Sequence, residues 1–125
     1  MVARVQNNGL ARITTLLIAA SWWSQWGTGS AAAATANVVT TTSTTEARVS
    51  LTPTQGTTTV TNDKFILSGT TTAAGARAIT EVGAFDAAGS GSPPTGGNMD
   101  IYGDFSVINL ATSDSIAFTI NVTFS

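Results

Sequence analysis

Seven carboxylates, Glu46, Asp63, Glu81, Asp86, Asp100, Asp104 and Asp114, carry most of the acid–base potential of this sequence, because histidine and cysteine are both absent. Without histidine there is no ordinary general base near neutral pH and no common transition-metal ligand. Without either residue, Ser-His and Cys-His nucleophilic catalysis and ordinary zinc sites are excluded. A glycosidase needs two carboxylates across a cleft, and Glu81 with Asp86 or Asp104 can be drawn that way. Asp86, Asp100 and Asp104 supply oxygens that suit Ca²⁺, but no loop alternates its ligands as an EF-hand does. The glycines at 27–29 and 96–97 lack the Gly-Lys-Ser/Thr of a phosphate loop. Asp63, Asp86 and Asp114 sit among turn-forming residues, where Asp is common. Glu46, Arg48, Arg77 and Glu81 are placed to pair across a sheet. The expectation is therefore structural: no catalytic residue, no cofactor and no metal.

The elements that hold these residues read as strands. Ile116, Phe118, Ile120, Val122 and Phe124 alternate with Ala117, Thr119, Asn121, Thr123 and Ser125, a period of two with one apolar and one polar face. Asp114 between Ser113 and Ser115 marks the turn before that strand. Further strands are expected at 37–42, 47–54, 57–61, 64–72, 78–85 and 99–108, with turns at Gln55-Gly56 and Asn62-Asp63. The stretch Ala87–Asn98, with four glycines and Pro93-Pro94, reads as an exposed loop. Asn121-Val-Thr123 is a formal glycosylation sequon, but it falls inside the terminal strand and is read as chance. About seven short strands with frequent turns predict an all-β chain, a single antiparallel β-sandwich or jelly-roll-like domain.

The first thirty residues read as an N-terminal arm, with residues 31–125 as the β-sandwich domain. Leu10, Ile13, Leu17 and Ala20 share one face of a short helix. A second reading competes: Arg4 and Arg12 precede an apolar run, and Ala-x-Ala patterns follow at 32–36, as in a secretory signal. Thr14, Thr15 and the Trp pair shorten that run, which is also too short to span a membrane. Trp22 and Trp26 fall on one face of a strand and Trp23 on the other. They are read as core or as subunit interface, since Trp is enriched at hot spots, with sugar stacking as a lesser alternative. Leu16, Leu17, Ile18, Trp22, Trp23 and Trp26 form the candidate interface.

Composition agrees with a contact role. Charged residues make up 10% of the 125, and the net charge is −2. The five cations, Arg4, Arg12, Arg48, Lys64 and Arg77, form no patch that would neutralise phosphates, so nucleic acid is not an expected partner. Thr, Ala, Ser and Gly dominate instead, and a weakly charged Thr-rich surface suits a subunit held against neighbours.

The order of several pieces resembles that of short virion proteins of tailed bacteriophages. These are Trp26-Gly-Thr-Gly29, Thr45-Glu-Ala-Arg-Val49, Thr57-Thr-Thr-Val-Thr-Asn-Asp63, Ile79-Thr-Glu-Val-Gly-Ala-Phe-Asp86, Gly96-Gly-Asn98, Phe105-Ser-Val-Ile-Asn-Leu110 and the segment 114–125. The resemblance covers residues 26–125 and implies a small β-sandwich particle component, a capsid cement or decoration protein or a tail-associated one. It implies the virion as location, with the capsid surface first, and the major capsid protein and sister copies, often as trimers in this group, as partners. It supplies no catalytic residue. The longer Ser90–Thr95 segment and the Trp22-Trp23 pair depart from the group. A secreted carbohydrate-binding or adhesin module is the third reading.

Overall fold

The computed structural model describes residues 1–29 and 44–125. The strand expected at 37–42 and the Ala-x-Ala patterns lie outside these. The described residues form one helix, α1 (Asn7–Ile18), and six strands: β1 (Trp22–Gly27), β2 (Val49–Gly56), β3 (Lys64–Thr72), β4 (Arg77–Phe85), β5 (Met99–Leu110) and β6 (Ser115–Thr123). All neighbours are antiparallel, in the order β5-β4-β1-β2-β3-β6. The fold is all-β with one short helix, and the sheet curls nearly into a barrel. No described helix is long and apolar enough to cross a membrane.

The curl is made by β2. Its first residues pair with β1 (Trp22↔Leu51, Ser24↔Val49), and those from Thr52 onward pair with β3 (Thr52↔Ser68, Gly56↔Lys64). One strand thus turns a corner between two half-sheets. Two short crossovers join the halves at one end, Ala73–Ala76 and Ala111–Asp114. They are tied by Ala73 N–H to the Asp114 carbonyl and Ser113 N–H to the Ala73 carbonyl, both at 2.8 Å.

The enclosed core has two centres. Trp22, Leu51, Phe65, Leu67 and Ala84 form one, with Leu17 and Ile18 of α1 packed on it. Trp26, Ala73 and Ile79 form the other, against Phe105, Leu110, Ile116 and Phe118. Alternation explains the membership: every second residue of β1 and β6 points inward, as their patterns predict. α1 closes one end. Leu10 and Thr14 are its buried residues. The Thr14 hydroxyl donates to the Asn62 carbonyl at 2.7 Å, and Gln55 Nε2 donates to Thr14 Oγ1 at 2.8 Å.

Two expectations are corrected here. Residues 1–30 are not a separable arm, because β1 lies between β4 and β2 in the middle of the sheet. A strand that turns Trp22 and Trp26 to one face is buried most effectively in the centre, where both edges are paired. Residues 57–61 are not a strand: they form bends between β2 and β3, and Gln55-Gly56 end β2 rather than turning. The cause is the Asp63 carboxylate. It accepts from the Thr58 amide (2.7 Å) and hydroxyl (2.6 Å), the Thr59 amide (3.0 Å) and the Val60 amide (2.9 Å). Four donors converging on one buried carboxylate pull the backbone out of the extended state.

Those donors, led by the Thr58 hydroxyl and the Val60 amide, hold the Asp63 carboxyl well below its ordinary 3.8. A depressed carboxylate stabilises the fold above its unfolded pKa, and that contribution is lost as pH falls through the folded value. Asp63→Asn turns an amide donor toward N–H donors and is expected to lower Tm by roughly 10 °C at neutral pH. The gap between the two proteins narrows once the pH drops below about 4. Denaturant midpoints measured down to acid pH check this; a gap that ignores pH would remove the carboxylate from the explanation.

Candidate functional site

The six residues expected to form an interface do not share a surface. Trp22 and Trp26 are 5% and 1% exposed and belong to the chain's own core. The Trp22 indole donates to the Leu17 carbonyl at 2.8 Å, which fixes the end of α1 on β1. The Trp26 indole donates to Thr44 Oγ1 at 2.8 Å. Trp23 is half-buried on the opposite face, and Leu17 and Ile18 are half-buried against the core. Leu16 alone of the six is open, at 64%. It stands with Met1, Val2 and Val5 as the exposed large apolar residues of the N-terminal region.

The carboxylates are scattered. Glu46 pairs with Arg77 at 3.0 Å and accepts from the Ala74 amide, as the cross-sheet pairing suggested. Burial alone would raise its pKa, but hydrogen bonds from Thr44, Ala74, its own amide and Trp26 prevail and hold it at about 2. Glu81 lies opposite Asp104 in the β4–β5 ladder. It is fully buried, with the Tyr102 hydroxyl on one oxygen at 2.8 Å, so the pair does not line a cleft. Asp86 accepts from the Asn98 amide and side chain, and Asp114 from the Ala111 amide. Among the described residues, no three acidic side chains approach closely enough to hold a metal. Asp86, Asp100 and Asp104 therefore do not make the Ca²⁺ site considered above.

Two arrangements are organised for contact. The first is the loop between β4 and β5, which folds over the outer face of the sheet and makes β4 buried on both sides. Arg48 pins it. The guanidinium lies 3.6 Å from the Phe85 ring centre. Its Nε donates to Gln25 Oε1 at 2.8 Å, and Nη1 donates to the carbonyls of Ala87 (2.9 Å) and Gly96 (2.7 Å). Gln25 in turn donates to the carbonyl of buried Pro94 at 3.3 Å. Arg48 thus finds neutral acceptors rather than the expected acidic partner. Burial lowers its pKa, and the charge of Asp86 offsets part of that. Gly89 is required here: its φ is +69°, and a Cβ would meet the Thr95 carbonyl at 2.8 Å and Arg48 Nη1 at 3.0 Å. The tip, Gly89–Pro93, stays exposed.

The second arrangement is the pair of strand edges that no described residue pairs with. β5 and β6 end the sheet and do not pair with each other, although Phe105 and Phe118 meet with ring centres 6.0 Å apart. No residue of either strand is fully buried. The β5 edge is interrupted: Ile79 faces Ile108 while Glu81 faces Asp104, so β5 bulges around Phe105–Val107. Bulges and edge charges such as Asp100 and Asp104 are devices that blunt strand addition. β6 has neither.

Comparison with known proteins finds no match. No family model, no curated protein and no solved structure is similar to this chain. The contact role therefore rests on the surfaces just described. Sequence reasoning missed the Arg48 pin and the state of the two edges. No local signal marked the first, because Arg48 lies 39 residues before Ala87.

Proposed function

We propose that this chain is a non-enzymatic structural subunit that works by contact. Its place in this reading is the virion of a tailed bacteriophage, as a capsid cement or decoration protein bound to the major capsid protein and to its own copies. The observation that carries the contact role is the nearly closed sheet whose two end strands each have one edge without a partner among the described residues, the β6 edge being unprotected. The exposed Met1, Val2, Val5 and Leu16 add apolar surface in the N-terminal region. Apolar area removed from water contributes about 25 cal/mol per Å² before association costs, and added strands contribute main-chain hydrogen bonds. The resemblance in the order of short segments supports the virion. A tail, fibre or neck component is the second reading, favoured by the exposed loop tip that Arg48 holds in one shape.

Quantitative mass spectrometry of purified particles tests the proposal. Cement predicts roughly one copy per shell subunit; a tail or neck component predicts a handful. Absence from particles would overturn both. Deleting residues 1–6, which precede α1 and leave β1 in place, should lower the heat resistance of particles without unfolding the free chain. Unchanged particle resistance would remove the N-terminus from the contact.

A further inference from the structure

No described residue pairs with the outer edge of β6, and that edge has a feature that singles out its occupant. Its nine residues, Ser115–Thr123, carry no charge and no proline. The β3–β6 ladder continues to Phe124, whose amide donates to the Asp63 carbonyl at 2.8 Å. Hydrogen-bonded positions alternate along an antiparallel ladder. Ile116, Phe118, Ile120 and Val122 therefore turn their backbone groups toward β3. Ser115, Ala117, Thr119, Asn121 and Thr123 turn theirs to the open edge, and these are also the residues with exposed side chains.

The strand is nearly its own mirror about Thr119. Reading outward, Phe118 matches Ile120, Ala117 matches Asn121, Ile116 matches Val122 and Ser115 matches Thr123. Apolar residues thus match apolar ones, and small or polar residues match their kind.

We propose that β6 pairs with β6 of a second copy, antiparallel, about a twofold axis through Thr119. This proposal rests on the contact role inferred above and names the partner of that edge. In this register every outward-turned backbone group of one strand meets one of the other, giving about ten main-chain hydrogen bonds. Phe118 faces Ile120 of the partner subunit, which covers apolar side chains left half-buried in one copy. No like charges oppose each other, because the strand has none. Slipping the register by one residue would set apolar against polar faces. The contact is isologous and closes as a dimer rather than a filament.

The test uses the full chain and sedimentation equilibrium. Wild type should dimerise with rising concentration. Thr119→Lys and Thr119→Glu each set like charges face to face on the axis and should weaken the dimer roughly tenfold or more. Thr119 is exposed, so the monomer keeps its circular dichroism and Tm in both variants. An equimolar mixture of the two variants should recover the dimer. Thr119→Cys should form a disulfide-linked dimer in a chain that otherwise has no cysteine, whereas Ser106→Cys on the β5 bulge should not. A monomeric wild type, or a dimer indifferent to both charges, would overturn the proposal. A monomer that is nonetheless present in particles would leave the contact role standing and remove only the β6 pairing. A dimer absent from particles would do the reverse.

Discussion

Replacing Trp26 with alanine is expected to cost about 4 kcal/mol, enough to leave a domain of this size close to unfolded at 37 °C. Trp26 is 1% exposed and sits on the paired central strand. It meets Phe118 edge-on at 6.4 Å and ties both half-sheets together. Its loss would leave a cavity between β1, β4 and β6 that rigid strands cannot close. It would also leave Thr44 and Glu46 without the indole donor. Trp26→Phe separates these effects: it keeps most of the packing and should cost about 1–2 kcal/mol. Trp23→Ala, one residue from β1's inner face and half-buried, should cost roughly 1 kcal/mol. Urea titrations followed by circular dichroism measure all three. Equal costs for Trp23 and Trp26 would contradict the facing of β1. A folded Trp26→Ala protein that failed only in assembly would return Trp26 to the interface role.

That contrast shows what local pattern reveals. The alternation of β6 and the two faces of the Trp segment follow from the two-residue period of a strand, so both were legible from residue types alone. The helix was legible from its apolar spacing, although Thr14 rather than Ile13 became a buried contact, because a hydroxyl there reaches the Asn62 carbonyl. Position within the sheet was not legible. β1 pairs with Glu81–Phe85, far along the chain, and nothing in six residues says which strands will flank them. The Thr57–Val60 segment reads as strand by its β-branched residues. One carboxylate three to five positions away outweighs that propensity, as context commonly does. Of the candidate interface, only Leu16 is open. Trp enrichment at interfaces and Trp enrichment in cores look the same in sequence, and burial decides between them.

The loop pinned by Arg48 was the least legible part, and it gives the second large effect. Arg48→Ala removes three hydrogen bonds and a ring contact at once. It leaves the Ala87 and Gly96 carbonyls and the Gln25 side chain without their donor. Each orphaned polar group costs about 1–3 kcal/mol, so the total loss should be about 3 kcal/mol. Lysine should rescue little: one ammonium cannot reach Gln25 and both carbonyls while lying flat on Phe85. The damage should be local. The amides of Ser90 and Thr95, which pair with each other's carbonyls at 2.9 Å, should lose hydrogen-exchange protection. The β3–β6 ladder, on the other half-sheet, should keep its own relative to global stability. If the loop is the tip through which a tail component recognises a surface, Arg48→Ala abolishes that recognition while leaving β6 pairing intact. Thr119→Lys does the opposite. Loss of protection spread evenly over both half-sheets would mean that Arg48 supports the whole domain and not the loop. Unchanged protection at Ser90 and Thr95 would mean that the glycines and prolines shape the loop unaided.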